Sequence, residues 1–583
     1  MKIEKKEKII LLKTSSYSFE INEQGIFKYN ENNSTLLEAN ILSYADSIDN
    51  IDKTKIKNIS IDNFDIIVNF DSSSWENEQM LIHFNEHYIV FSLIVEGSSK
   101  ITNVRYFNII DGYKKYIAPR FDWSTFPVIK NIDENDILSC QQWLSPPPFA
   151  MVLTDNKDYQ ALGVMAKKGE NNFERVQIGK EIKLCFEGHL EVENCEYKLP
   201  SLVLSPKADN LEKALSNYID ILKENRCIDT IDNKIIPAWW NKPIFCGWGQ
   251  MRYDYRRDHD GHENGNFVNV TDYCSQNRYC EYINDLESND INPGTIIIDM
   301  GWAKNAALGK EDLDKWPNLK DFIKKEHDKG RHVLLWYSPL VSQGLNDDCC
   351  LTLHGRAVAP DPTNEKYVQL LRDEITYMLK ELDADGFKID FTQNTPSEED
   401  VFTTYINSFW GLINENNEKH IYKKRTERTE LIKVSKKNVW GVELLKLYIE
   451  NIYRIMKDVK KDSLLITHTC NPYFSEVVDM LRLNDLDGES DAVLEIMKGR
   501  SMLARISCDK WLIDTDNDLM VDLKHWRDYI TIQAKLGIPD TYYTNHIAMS
   551  FEKLTQDDYS LLKNVFESFE YENNWREVNE KSC

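Results

Sequence analysis

The chain has 583 residues, is 42% hydrophobic and 28% charged, and carries a net charge of −25. That length exceeds what one hydrophobic core supports, so two or more domains are expected. The acidic balance argues against a nucleic-acid partner, which needs a basic face.

The apolar run Ile9 to Leu12 is too short for a signal segment, and no stretch reaches the ~18 apolar residues of a membrane span. The twelve cysteines follow no regular framework. Reduced thiols, a cytoplasmic location and no membrane contact are therefore expected. No CxxC pair or HExxH suggests zinc, and no glycine-rich phosphate loop is present, so neither a metal nor a cofactor is expected.

From residue 1 to about 235, short alternating or β-branched runs are separated by polar turns. They are Ser16 to Ile21, Ile61 to Phe70, His87 to Val95, Ile101 to Ile110, Ala150 to Leu153, Ala161 to Ala166, Ile182 to Phe186 and Ser201 to Leu204. This pattern predicts a β-sandwich, followed by a connecting helix over Leu211 to Asn225.

From about 236 the rhythm becomes strand then helix. Strands are predicted at Ile244 to Trp248, Thr295 to Ile298, Val333 to Tyr337, Gly386 to Phe391, Leu464 to Thr467, Met480 to Leu483 and Lys510 to Ile513, with an eighth near Leu536 to Tyr542. Between them, helices are expected at Asp272 to Leu286 (capped by Thr271), Leu319 to Lys329, Tyr367 to Glu381, Val442 to Lys457 and Asp491 to Ile506. About eight βα units make a (β/α)8 TIM barrel. The architecture expected is α/β: an N-terminal β-sandwich domain, 1–235, then a catalytic barrel, 236–583. A helical insertion near 403–439 is expected over the active face, and a helix at Gln556 to Tyr571 leads into a polar tail.

In such a barrel the C-terminal strand ends carry the site. They present Trp248; Asp299, Met300 and Trp302; Trp336; Lys388 and Asp390; His468, Cys470 and Asn471; Arg482, Asn484 and Asp485; and Asp514 and Asp516. Lys388 and Asp390 lie two apart on one strand and so share a face. A neighbouring ammonium keeps a buried carboxylate ionised, which is what a covalent glycosidase needs in its nucleophile. Taken alone, that pair also reads as a structural ion pair. Trp248 and Trp336 also suit a barrel core, Asp514 and Asp516 suit turns or caps, and His468 suits a hydrogen-bonded core histidine. Several aspartates could instead hold a divalent metal, although that needs more ligands about one point. Together, carboxylates and indoles with few opposing cations outline a sugar site.

The segments GTIIIDMGWAKN, KWPNLKDFIKKEHDKGRHVLLWYSP, DGFKIDF and LRLNDLDGESDAV, with FCGWGQ before them, resemble the glycoside hydrolase clan of α-galactosidase families 27, 31 and 36, most closely family 36. The resemblance covers Ile244 to Pro539. It implies a retaining, exo-acting α-glycosidase with Asp390 as nucleophile and Asp485 as acid/base. Lys388 and Asp299 would bind sugar hydroxyls, Arg482 would orient the glycone or the acid/base, and Trp248, Trp302 and Trp336 would wall the pocket. Cys470 belongs to the same rim.

Two features depart from the pattern. Met300 stands where the family has a second aspartate, which implies a glycone other than plain galactose or weaker discrimination for it. Asp487 and Asp491 also lie near Asp485, with the family spacing favouring Asp485 over Asp487. A trailing β-sandwich is not expected after the eighth strand. A transglycosylase of the same clan, similar to the raffinose synthases, and a catalytically silent carbohydrate-binding relative are the alternatives. Each would have a carbohydrate partner, and oligomeric state is not readable.

Overall fold

In a computed structural model, the residues described are 1–120, 127–140, 146–259, 261, 267–399, 428–483, 485 and 492–571, less single positions 7, 33, 230, 232, 233, 306 and 343. The N-terminal part is an antiparallel sheet of 18 strands. Its axis is the 24-residue strand Ile89–Gly112, which joins two runs that the sequence reads separately. Gly97 allows the join, because it holds a φ of +145° at a bulge against the strand Glu181–Lys198. Conversely, the expected run Ile61 to Phe70 is broken into a hairpin at Asn63, whose φ is +53°. Phe19, Phe27, Phe91 and Phe107 pack together in the core. The connecting helix runs over Leu211–Glu224 and is capped by the Asn210 side chain.

The second part is an eight-stranded parallel sheet. We number its strands β1 (Ile244–Cys246), β2 (Thr295–Ile298), β3 (His332–Tyr337), β4 (Gly386–Ile389), β5 (Leu464–Thr467), β6 (Met480–Arg482), β7 (Leu512–Asp514) and β8 (Asp540–Thr541). Neighbours pair in parallel in that order, and β8 pairs with β1. A parallel bridge from Asp514 to Ile538 joins the two ends of the set. Runs such as Thr295–Ile298 and Leu464–Thr467 are buried throughout, as strands covered on both faces require. At Gly386 a Cβ would overlap the Leu464 backbone, so the start of β4 can approach β5 only as glycine.

The helices alternate with these strands, with four corrections to expectation. Trp248 ends no strand, since β1 stops at Cys246 and Trp248 opens the helix Trp248–Asp258. The following helix starts at Gln276, capped by Ser275 rather than Thr271, because Thr271 lies within a 3-10 turn. The expected helix to Glu381 is α-helical only to Thr376 and then widens into a π turn. The eighth strand is confined to Asp540–Thr541, because Leu536 ends a helix. The terminal helix is Gln556–Tyr571. The expected helical insertion lies mostly outside the described residues, as do Asn484, Asp487 and Asp491. No helix among the described residues is long and apolar enough to cross a membrane.

Candidate active site

Asp390 follows β4 directly, and four groups converge on its carboxylate. The Phe391 amide donates to Oδ1 at 2.9 Å, and Arg482 Nη2 and His468 Nε2 lie 3.4 and 3.2 Å from the same oxygen. The Trp336 indole donates to Oδ2 at 3.1 Å. The Phe391 contact is made in a left-handed conformation, φ +55°, which costs a non-glycine residue of order 1 kcal/mol and persists only when its surroundings fix it. Burial alone would raise the Asp390 pKa. The Arg482 charge, the His468 hydrogen bond and the Lys388 charge outweigh it and hold the group well below the usual carboxylate range.

Lys388, two residues earlier and buried, donates to Asp299 Oδ2 at 2.6 Å. The Cys246 thiol donates to the same oxygen at 3.1 Å, and the Met300 amide takes the other at 2.7 Å. Burial would lower the Lys388 pKa, but Asp299 reverses that and keeps the ammonium charged. Arg482, at the end of β6, joins the rest. Its Nη1 donates to Asp485 Oδ1 at 2.7 Å and to Asp516 Oδ2 at 2.6 Å, while Nη2 faces Asp390.

Exposure separates these carboxylates by role. The side chains of Asp390 and Asp485 are 20% and 19% exposed, whereas Asp299 is 4% exposed and Asp516 is fully buried. Two solvent-reachable carboxylates on the two arms of one guanidinium, above a buried ion pair, make an arrangement able to perform acid/base and nucleophilic work on a bound acetal. Among the described residues, no group of three His, Cys, Asp or Glu is placed to hold a metal ion.

Residues 265–467 match the family model described as "Glycosyl hydrolases family 31 TIM-barrel domain". That span is about a third of the chain; it holds Asp299, Lys388 and Asp390 and stops at the end of β5. No curated protein matches the chain in sequence. Among solved structures, a family 31 sulfoquinovosidase from E. rectale in complex with an aza-sugar inhibitor aligns with a TM-score of 0.59 and 12% identity, over 98% of this chain and 82% of that one. An α-galactosidase from Thermus thermophilus in complex with stachyose gives a TM-score of 0.51 and 12% identity, over 83% and 99%. A family 31 α-xylosidase from a soil metagenome, complexed with xylose, gives 0.51 and 11%, over 98% and 84%. At such identities the likeness is one of fold.

These findings support the clan; the matching model is of family 31, so the closer resemblance to family 36 is not supported. The reason is physical: the short strand-end motifs encode chemistry shared across one barrel type, so they do not separate its families.

The remaining sequence-derived residues divide. Trp336 touches Asp390 directly. Trp302 is buried, and its indole donates to the Trp336 carbonyl at 2.7 Å, so it braces the end of β3. Trp248 is half-buried at the start of its helix. Met300 is buried beside Asp299. Cys470 is turned towards Ser507, 3.7 Å away on the helix after β6, and makes no hydrogen bond to the carboxylate cluster among the described residues.

His468, Asp516 and Tyr542 join the cluster without having been singled out as site residues. The Tyr542 hydroxyl lies 3.4 Å from both Lys388 Nζ and Arg482 Nη1. For His468 and Asp516 the position at a strand end was the available signal. Tyr542 closes the expected eighth strand and so offered the same signal, although the observed β8 ends one residue earlier, at Thr541.

Proposed function

We propose that the protein is a retaining, exo-acting α-glycosidase that releases terminal α-linked sugars from small oligosaccharides or glycosides. Residues 1–235 would form its sandwich domain and 236–583 its catalytic barrel. The observation that carries the reading is that Arg482 holds Asp390 and Asp485, the two partly exposed carboxylates of the cluster, on its separate nitrogens.

In this mechanism Asp390 attacks the anomeric carbon and forms a glycosyl-enzyme while Asp485 gives its proton to the leaving oxygen. Asp485 then takes a proton from the water that attacks the anomeric carbon and frees Asp390. Arg482 positions both groups. Trp336, His468 and the Phe391 amide keep Asp390 ionised and aimed. Lys388 and Asp299 bind glycone hydroxyls, and each supplies the other's counter-charge. Met300 offers no strong acceptor where a second carboxylate would discriminate for galactose, so the glycone is a modified galactose or another sugar.

The test is a panel of aryl α-glycosides (galactoside, N-acetylgalactosaminide, glucoside, xyloside, fucoside and a 6-modified galactoside) run with wild type and Asp390→Asn. Aryl release by wild type and not by the variant supports the reading and names the glycone. Strict preference for unmodified galactose removes the role given to Met300. Equal release by both proteins removes Asp390 as nucleophile. Silence of wild type on every member, with or without a sugar acceptor, overturns the glycosidase reading.

A further inference from the structure

The segment that follows Asp390 is held by the N-terminal sheet. After Phe391 the chain makes a buried 3-10 turn, Thr392–Asn394. It is closed by the Asn394 amide on the Phe391 carbonyl at 2.9 Å and the Thr395 amide on the Thr392 carbonyl at 3.1 Å. Two buried carboxylates then pin the end of this segment.

Glu174, from the sheet, accepts from Ser397 Oγ through Oε1 at 3.1 Å. Its Oε2 accepts from the Glu398 amide and the Trp440 indole, each at 3.1 Å. Glu398, from the barrel, faces His189 Nε2 of the sheet at 2.7 Å. It also accepts from Arg428 Nη2 at 2.6 Å and the Ile432 amide at 2.7 Å. The His189 ring stacks on Trp440 with centroids 3.8 Å apart. Glu174, Glu398 and Trp440 are wholly or almost wholly buried, and His189 is buried with them.

The pinned segment also reaches the nucleophile's own partners. Thr392 Oγ1 lies 3.5 Å from His468 Nδ1, whose Nε2 faces Asp390. The strained Phe391, whose amide donates to Asp390, is the first residue of the same segment.

We propose that Glu174 and His189 of the N-terminal sheet are positioning residues for the nucleophile, acting through residues 391–398 to hold the Phe391 amide and His468 on Asp390. The inference rests on the glycosidase reading for its kinetic consequence, but not for its structural one. The sheet is then part of the catalytic apparatus, although neither residue is placed on substrate.

Two measurements on the full chain test this. The first is hydrogen–deuterium exchange over 391–399 in wild type, His189→Leu, His189→Gln and Ser397→Ala. The second is the rate at which a fluorinated glycosyl fluoride of the active glycone labels Asp390, set against the inhibition constant of a competitive aza-sugar.

His189→Leu and Ser397→Ala are expected to speed exchange in this segment and to slow labelling roughly tenfold or more, as misplacement of a reacting group does. Aza-sugar binding changes by less than threefold. His189→Gln keeps a donor and restores most of the labelling rate.

If His189→Leu does not fold, Ser397→Ala removes one pin and carries the test alone. Wild-type exchange and labelling in every folded variant would overturn the proposal, as would equal losses in labelling and aza-sugar binding. If wild type itself labels with no glycone, the glycosidase reading fails, and exchange alone decides whether the sheet holds the turn.

Discussion

The Lys388 ammonium lies 2.6 Å from Asp299 Oδ2, and both side chains are almost wholly buried. Each desolvated charge depends on the other, so removing one leaves the other uncompensated. Asp299→Asn and Lys388→Met are each expected to cost about 3–5 kcal/mol. The double variant Asp299→Asn/Lys388→Met should lose less than the sum, since it leaves neither charge stranded. Denaturant midpoints of the four proteins check this; additive losses would show that the two side chains are not coupled.

Trp336 is expected to act on rate more than on binding. Its indole N–H donates to Asp390 Oδ2 at 3.1 Å. A hydrogen bond to a charged group contributes about 1.5–3 kcal/mol. Trp336→Phe keeps the ring and should lower kcat roughly 10- to 100-fold with KM little changed. A comparable rise in KM would instead make the indole a wall for the sugar.

Much of this site is legible in the sequence because parallel strands place chemistry at their ends. The Lys-x-Asp spacing put Lys388 and Asp390 on one face, and Asp299 and Arg482 followed from neighbouring strand ends. Cys470 is less legible, because a residue three positions past β5 is free to turn, and its thiol faces Ser507. The Glu174 and His189 contacts were invisible: they join residues more than two hundred positions apart, and no local pattern encodes such a distance. The choice of one family within the clan was beyond the sequence for the complementary reason, since the readable motifs were those the clan shares.

Asp390 should remain ionised across the acid range. Its folded-state pKa is depressed, against burial, by Arg482, His468 and Lys388. The stability this contributes is present above the unfolded carboxylate pKa of about 4, and is lost only as pH falls through the lower folded value. The rate of covalent labelling of Asp390 should therefore be flat between about pH 4 and 7. Arg482→Lys, which replaces the two-armed guanidinium by a single ammonium, should bring an acid limb into that window. A wild-type limb near pH 5 that Arg482→Lys does not move would show that Arg482 does not set the ionisation of Asp390.

Asp518 behaves in the opposite sense. Burial first, then the charges of Asp485 and Asp516, push its pKa up to about 7 against the pull of Arg252, which is 3.6 Å away. Neither oxygen of its carboxyl has a hydrogen-bond partner among the described residues. Here the folded pKa lies above the unfolded one. Between about pH 4 and 7 the unfolded chain has already shed this proton while the folded chain still holds it. Stability consequently falls as pH rises through that window, and the deficit is complete above the folded pKa. Asp518→Asn cannot ionise and escapes the deficit. Its melting temperature relative to wild type should rise by roughly 1–3 °C from pH 5 to pH 8. A difference that stays level over that range would mean that Asp518 is already ionised in the folded protein at pH 5, with Arg252 rather than burial deciding its charge.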